Sequence, residues 1–158
     1  MKGIFWFVLK FFAVFFVLEA LLVSSNLPLL QEPIASIEAG LLGLEVAGNL
    51  IISDGGNFEI SPSCTGLVSS IILAAIIFSL KKPEIKKKVG IFLAGSVSLL
   101  VLNFFRIYLV ILGGELFGFW IVEPLHILSW FATTAFILVL WYYLTMRITG
   151  ITNFSGFL

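Results

Sequence analysis

The segment KKPEIKKK, residues 81–88, decides the topology because it places five lysines between two long apolar stretches. Short loops rich in lysine and arginine stay on the cytoplasmic side of a membrane. The flanking segments, residues 64–80 and 89–112, are therefore predicted to be membrane-spanning helices whose ends at this loop lie inside. Their other ends are predicted to lie on the extracytoplasmic side.

The composition of the whole chain supports a membrane protein. Of its 158 residues, 60% are hydrophobic and only 11% are charged, and the mean hydropathy is +1.16. A soluble domain carries about a quarter charged residues, so that class is excluded, and the apolar excess also excludes disorder. Nine basic residues balance nine acidic ones and form no continuous basic stripe, which excludes nucleic acid as a partner.

Few residues in the chain can carry chemistry. The only cysteine, Cys64, has no partner for an intramolecular disulfide, and one cysteine with one histidine cannot build a zinc site of the usual spacing. No cofactor motif is present, so neither a metal nor a cofactor is expected. The aromatic residues near the ends of the later apolar segments are interpreted as interfacial belt and packing residues: Trp120, Trp130, Trp141, Tyr142 and Tyr143.

Two further apolar segments complete the predicted bundle. Residues 4–23 are long enough to cross a ~30 Å hydrocarbon core at ~1.5 Å per residue. A cleaved signal peptide is the competing interpretation, but Glu19 lies inside the run and bulky side chains close it, so we expect a retained anchor. Residues 125–143 are predicted to cross back after an outer loop at 113–124, and the tail 149–158 has no strong pattern.

The region after the first anchor is less regular, and residues 24–33 are predicted to be a loop. In residues 34–52, Glu38 and Glu45 are seven apart and share one helical face, which favours an amphipathic interfacial helix over a lipid-facing span. The segment Asp54–Gly56 is a turn signal between two short alternating stretches. A small extracytoplasmic β-hairpin is therefore expected.

These elements predict an all-α polytopic membrane protein that forms a single integral membrane domain over residues 1–158. An interfacial helix and a hairpin occupy residues 34–63. If residues 34–52 also span the membrane, only the N-terminus changes sides, because the lysine loop fixes the later helices. The predicted transmembrane helices are four, at residues 4–23, 64–80, 89–112 and 125–143.

Cys64 is predicted to open a long helix at its outer end. The preceding Pro62 and Ser63 are a helix-start signal, and the positive end of a helix dipole favours a nucleophilic thiolate. The alternative is a small apolar packing residue, which is a common role of a buried free cysteine.

Arg106 lies about six residues inside the predicted outer end of its helix, or ~9 Å deep. A guanidinium there costs several kcal/mol unless it snorkels or is paired, so it is a functional candidate. Asn103 lies one turn earlier on the same face, where its amide could hold the guanidinium or a substrate carbonyl. The structural alternatives are that Arg106 reaches the headgroups or pairs with Glu115.

His126 begins the last predicted helix at its outer end. Glu123 could orient it across an i to i+3 spacing, although Pro124 can distort that geometry. By topology, His126 lies on the same side as Cys64 and Arg106. A nucleophile, a proton carrier and a buried cation would then converge from three helices, which is the pattern of a covalent catalytic site.

The chain resembles the exosortase/archaeosortase family at three places. These are Cys64-Thr65-Gly66-Leu67, Asn103-x-x-Arg106-Ile107 and the later His126 at the head of the last helix. The resemblance covers roughly residues 45 to 145. The family often has Cys-Ser-Gly where this chain has Cys-Thr-Gly, a change that keeps a hydroxyl. Many members have more spanning helices, so the chain resembles a minimal-length member.

The resemblance implies a membrane cysteine transpeptidase in the plasma membrane with its active site on the extracytoplasmic side. Such enzymes cleave C-terminal sorting signals from exported proteins and usually transfer them to a lipid or another anchor. A sorting signal is a short motif, an apolar helix and a basic tail. Cys64 would attack the scissile carbonyl, His126 would transfer protons and Arg106 would stabilise the oxyanion. The supporting residues would be Asn103, Thr65, Gly66 and Glu123.

A competing hypothesis is a non-enzymatic membrane subunit, for example an assembly factor or a transporter component. In such a subunit, Arg106 would pair with a carboxylate on a partner helix. The two hypotheses differ in what the same genome should encode. The transpeptidase requires exported proteins that end in a shared motif, an apolar helix and a basic cluster.

Overall fold

The computed structural model describes residues 2–25 and 28–150. Within them, the chain forms five α-helices, a small sheet and two 3₁₀ turns. The helices are α1 (Lys2–Ser24), α2 (Pro28–Leu42), α3 (Leu67–Ser79), α4 (Ile85–Phe117) and α5 (Val122–Thr149). The strands are β1 (Glu45–Ala47), β2 (Leu50–Ile52) and β3 (Phe58–Glu59). The 3₁₀ turns cover Pro62–Thr65 and Phe119–Ile121.

Three helical segments in the described part of the chain are long and apolar enough to cross a membrane: Gly3–Ser24, Ile85–Phe117 and Phe119–Thr149. The predicted class, a polytopic all-α membrane protein with a small sheet, is confirmed. The predicted fourth span at 64–80 is shorter in the structure than expected, because a 3₁₀ turn precedes α3 and α3 itself has only 13 residues. That length is ~20 Å, against a hydrocarbon core of ~30 Å.

The outer surfaces of the long helices carry large apolar side chains instead of charges. Phe16 on α1, Val97 on α4 and Phe131 on α5 are 60%, 62% and 71% exposed. Such a surface would aggregate in water, whereas in a bilayer it faces hydrocarbon at no cost. The exposure pattern is therefore that of a lipid-facing surface.

Two apolar clusters hold the elements together. The first joins α3, α4 and α5 around Leu73, Ile76, Ile77, Leu80, Ile91, Leu99, Ile137 and Trp141. The second joins α2, the sheet and the far half of α4 around Ala35, Ala39, Ile51, Phe58, Ile60, Ile107 and Ile111. Cys64 packs against the second cluster, so the sheet and α2 form part of its surroundings.

The sheet is an antiparallel meander in the order β1-β2-β3. Ile51 of β2 pairs with Phe58 of β3 across the Asp54–Gly56 turn, which forms the predicted hairpin. The third strand, β1, pairs with β2 in the register Glu45 to Ile52. The prediction of a helix through residue 52 is therefore wrong. α2 ends at Leu42 because Gly43 has φ +71°, the left-handed conformation that commonly terminates helices.

The other end of α2 also differs from the prediction. Residues 28–33 were expected to be a loop, but α2 begins at Pro28, a residue whose missing N–H costs nothing in a first helical turn. Gln31 on its buried face donates to the Ile60 carbonyl at 2.9 Å. This bond fixes α2 against the end of the sheet.

The predicted outer loop at 113–124 is mostly helical. α4 continues to Phe117, and only Gly118, with φ +94°, separates it from the second 3₁₀ turn and α5. Pro124 lies in the first turn of α5, where proline is tolerated. The boundary at the lysine run also moves, because α4 begins at Ile85 within that run and not at residue 89.

The hairpin is attached to the corner between α4 and α5. Ser53 donates a hydrogen bond to Glu115 Oε1 at 2.5 Å, and the rings of Phe58 and Phe119 lie 5.3 Å apart. A Cβ on Gly56 would lie 2.6 Å from the Phe119 ring, so this close approach requires glycine. The hairpin therefore covers the ends of α4 and α5 that meet at this corner.

Glu38 was expected to face water with Glu45, but it lies fully buried on α2, while Glu45 is in β1. Within the described residues, neither carboxylate oxygen of Glu38 has a hydrogen-bond partner. Burial disfavours the charged form and raises the pKa of Glu38 from 4.5 to about 7. The folded state therefore holds a proton that the unfolded state releases above pH 4.5. The free energy of unfolding falls as pH rises through this window.

Replacing this carboxyl with an amide should remove that pH dependence. Glu38→Gln should raise Tm at pH 8, equivalent to ~1–3 kcal/mol of unfolding free energy, and change it little at pH 4.5, where the wild-type carboxyl is protonated in the fold. Thermal unfolding of detergent-purified protein at the two pH values measures this difference. Glu45→Gln, which alters an exposed carboxylate, is the matched control. Equal shifts for Glu38→Gln at both pH values would contradict the assignment.

Candidate active site

Cys64 lies in the four-residue 3₁₀ turn Pro62–Thr65 and not in an α-helix. The prediction that Cys64 opens the helix is wrong, because Gly66 separates the turn from the start of α3 at Leu67. A helix dipole along α3 therefore does not end at the sulfur. A local donor does reach it: the hydroxyl of Ser61 donates to Cys64 Sγ at 3.3 Å. This bond links the residue before the turn to the sulfur.

Thr65 closes the turn that carries the thiol. Its buried hydroxyl donates to the Pro62 carbonyl at 2.7 Å and accepts from the Leu67 N–H at 3.5 Å. The side chain thus bonds to the backbone on both sides of Cys64. Through these two bonds, Thr65 supports the backbone that carries Cys64.

Gly66 meets two separate requirements. Its φ of +83° lies in the left-handed region that side chains rarely adopt. A Cβ at this position would also lie 3.0 Å from the Asn103 Cβ. The turn can therefore change direction into α3 and still contact α4 only if residue 66 is glycine.

Asn103 connects α4 to this turn. Its Nδ2 donates to the Cys64 carbonyl at 2.6 Å, and its side chain is buried. The sequence suggested that Asn103 holds the Arg106 guanidinium or a substrate carbonyl. The structure instead shows Asn103 holding the backbone of the cysteine itself.

Arg106 is buried, with 6% of its surface exposed, and lies eleven residues before the end of α4 at Phe117, ~16 Å along the helix. It is therefore deeper than the predicted six residues and does not snorkel. Glu115 is not its partner, since that carboxylate accepts from Ser53. The guanidinium lies over the Trp130 ring at 4.7 Å, and Nε and Nη1 have no hydrogen-bond partner among the described residues.

His126 lies in the second turn of α5 and is oriented by Trp130. The Trp130 indole N–H donates to His126 Nε2 at 2.9 Å. Because an indole nitrogen only donates, Nε2 is the unprotonated nitrogen in this arrangement, and a neutral ring carries its proton on Nδ1. Glu123, the predicted orienting residue, is exposed and makes no hydrogen bond to His126 in the part of the chain described.

These side chains surround one cavity of ≈ 210 Å³. Cys64 enters it from the 3₁₀ turn, Arg106 from α4 and His126 from α5. The hairpin and apolar side chains supply the remaining wall: Asn57, Phe58, Glu59, Ile60, Ile107, Val110, Ile111, Phe119 and Val122. A thiol, an imidazole and a guanidinium with two donors unpaired among the described residues, in a largely apolar cavity, can carry out nucleophilic chemistry on a carbonyl group.

The family model of transmembrane exosortases matches residues 2–143, which is most of the chain. The chain belongs to the exosortase family. No curated protein and no solved structure matches it. The family match extends from α1 to the last third of α5, so it includes each element that lines the exosortase cavity.

Two residues that contact the side chains of the exosortase cavity were not identified as candidates from the sequence. Trp130 was interpreted as an interfacial residue, yet it contacts both Arg106 and His126. Its i to i+4 spacing from His126 on a helix is the signal that could have revealed it. Ser61 is the second, and its bond to the sulfur depends on 3₁₀ geometry that the sequence does not specify.

Gly66→Ala should destabilise the protein by about 1–3 kcal/mol, because it combines an unfavourable φ with a 3.0 Å contact. Gly90→Ala is the matched control: Gly90 lies within α4, a Cβ there meets no atom within 4 Å, and alanine should stabilise the helix by ~0.5–1 kcal/mol. Thermal unfolding of both purified variants gives the comparison. Equal Tm values for the two variants would contradict the close approach of the turn to α4.

Proposed function

We propose that this exosortase-family chain is a membrane-embedded cysteine transpeptidase. It cleaves C-terminal sorting signals of exported proteins and transfers them to a lipid or another anchor. The observation that supports this most strongly is the shared cavity, where the only thiol and the only imidazole of the chain meet a buried guanidinium with unpaired donors.

The first step is attack of the Cys64 sulfur on the scissile carbonyl, which gives a thioacyl-enzyme and releases the sorting-signal helix. The Ser61 hydroxyl donates a hydrogen bond to the sulfur that attacks. His126 transfers the protons. After the bond from Trp130 breaks, Nε2 accepts the thiol proton and the ring becomes an imidazolium, which then gives its Nδ1 proton to the leaving amine and returns to the neutral form.

The oxyanion formed in this step is stabilised by Arg106. Its Nε and Nη1 donors are buried and unpaired, so they are available to an oxygen without losing an existing bond. Trp130 holds the guanidinium from one face. Removing one such donor from a preorganised site typically costs about 10²-fold to 10³-fold in rate.

The membrane-spanning part of the substrate has a place beside the cavity. An apolar groove of ≈ 320 Å³ lies between α4 and α5, and Arg106 is part of its lining. Its apolar lining is Leu102, Phe105, Leu109, Ala132 and Phe136. We place the apolar helix of the sorting signal in this groove, with its motif leading into the cavity. The lysine loop then lies inside and the cavity opens at the extracytoplasmic side of the plasma membrane.

Co-expression with a candidate substrate tests the proposed nucleophile. Cys64→Ala should abolish the mobility shift of a reporter that ends in a motif, an apolar helix and a basic tail, because no other thiol is available. Membrane abundance should stay near wild type, since the change removes one small side chain. Ser24→Ala, which removes an exposed hydroxyl at the end of α1, is the control and should process the reporter. Normal processing by Cys64→Ala would exclude the covalent mechanism, and absence of processing by wild type would favour a non-enzymatic subunit.

The contrast between arginine and lysine at position 106 tests the oxyanion role. A lysine keeps the charge and the long apolar stem but lacks the planar fork of donors. Arg106→Lys should therefore process the reporter roughly 30-fold to 150-fold more slowly, nearly as slowly as Arg106→Ala, while still inserting into the membrane. Processing rates divided by membrane abundance measure this. A lysine variant with near-normal activity would assign Arg106 a structural role.

A further inference from the structure

A second cavity adjoins the one that contains Cys64. It has a volume of ≈ 450 Å³ and is lined by Phe119, Trp120, Val122, Glu123 and His126. Phe119, Val122 and His126 also line the cavity that contains Cys64. The imidazole therefore contributes both to the cavity of the nucleophile and to a second space that the cleavage step does not use.

The two residues found only in the second cavity have a specific chemistry. Glu123 is an exposed carboxylate, and Trp120 is a 74% exposed indole. Trp120 is placed by the preceding turn, because it lies against Gly118, where a Cβ would be 3.2 Å from Trp120 Cδ1. A carboxylate beside an aromatic face binds an organic cation through ionic hydrogen bonds and a cation–π contact.

We propose that the second cavity is the acceptor site of the transpeptidase and binds a primary ammonium group. This inference rests on the proposed function, since it assigns the group that resolves the thioacyl-enzyme. Glu123 binds the ammonium, Trp120 covers it, and His126 connects it to the thioester on Cys64. Glu123, which was expected to orient His126, is thereby assigned to binding the acceptor amine.

The transfer step uses His126 at the boundary between the two cavities. The bound ammonium releases one proton to water through the exposed Glu123, and the free amine attacks the thioester carbonyl. The new C–N bond forms, the C–S bond breaks, and the second proton moves from nitrogen through His126 to the Cys64 sulfur. The products are an amide and the free thiol.

The surroundings of this cavity allow two sources for the amine. Leu116 and Phe117, at the end of α4, are large exposed apolar residues, as expected of a surface in contact with lipid. A lipid headgroup with a primary amine could therefore reach Glu123 from the bilayer, and a small amine could reach it from water. Both sources have the same reacting group.

The product ratio of wild type and variants tests the acceptor site. The full chain is reconstituted in phosphatidylcholine vesicles with the reporter substrate and with one of three probes: phosphatidylethanolamine, free ethanolamine or phosphatidylglycerol. Mass spectrometry measures the ratio of amide product to hydrolysed product. Glu123→Gln and Trp120→Ala should each lower this ratio roughly fivefold to tenfold. Glu45→Gln, which removes an exposed carboxylate from β1, should leave the ratio unchanged.

Each outcome has a defined meaning. Amide formed on phosphatidylethanolamine supports the proposal with a lipid source, and amide formed only on free ethanolamine supports it with a soluble source. Two results would overturn the acceptor site even if a Cys64 thioester still forms. The first is a transfer product with phosphatidylglycerol alone, and the second is an unchanged ratio of amide to hydrolysed product in both Glu123→Gln and Trp120→Ala. Absence of any Cys64 thioester in wild type would overturn the proposed function itself.

Discussion

One hydrogen bond, from the Asn103 amide to the Cys64 carbonyl, determines how the candidate site is assembled. Asn103 and Arg106 lie one turn apart on α4, so the residue that holds the cysteine backbone also sets the position of the guanidinium. The bond can form only because Gly66 has no side chain at the contact between the turn and α4. The same contact between the turn and α4 therefore fixes the positions of both the thiol and the cation.

A second chain of contacts brings in the remaining helix. Arg106 rests on Trp130, and Trp130 donates to His126, so the cation and the imidazole share one aromatic neighbour. The hairpin completes the enclosure through Ser53 and Phe58, which hold it to the corner between α4 and α5. A buried guanidinium with unpaired donors is costly, and proteins keep such groups mainly where a ligand satisfies them.

Much of the architecture could be predicted because it follows from composition and charge. Hydropathy located the long helices, and the Asp54–Gly56 turn located the hairpin. The errors occurred where tertiary contacts decide conformation. Segment 113–124 looked like a loop from its glycines, yet helix packing extends α4 through it, and Glu38 looked like a surface residue until α2 packed on the sheet. Trp130 could not be linked to Arg106, since no sequence pattern relates residues on different helices.

The short length of α3 sets the depth of the site. α3 has 13 residues, against 33 in α4 and 28 in α5, and none of its side chains is exposed, so longer helices and not lipid surround it. The hydrogen bond from Asn103 places the Cys64 backbone at the level of a residue fourteen positions before the end of α4, or ~21 Å along that helix. The thiol is therefore recessed among the longer helices, where a peptide bond at the top of a membrane helix could be cut without first being pulled out of the bilayer.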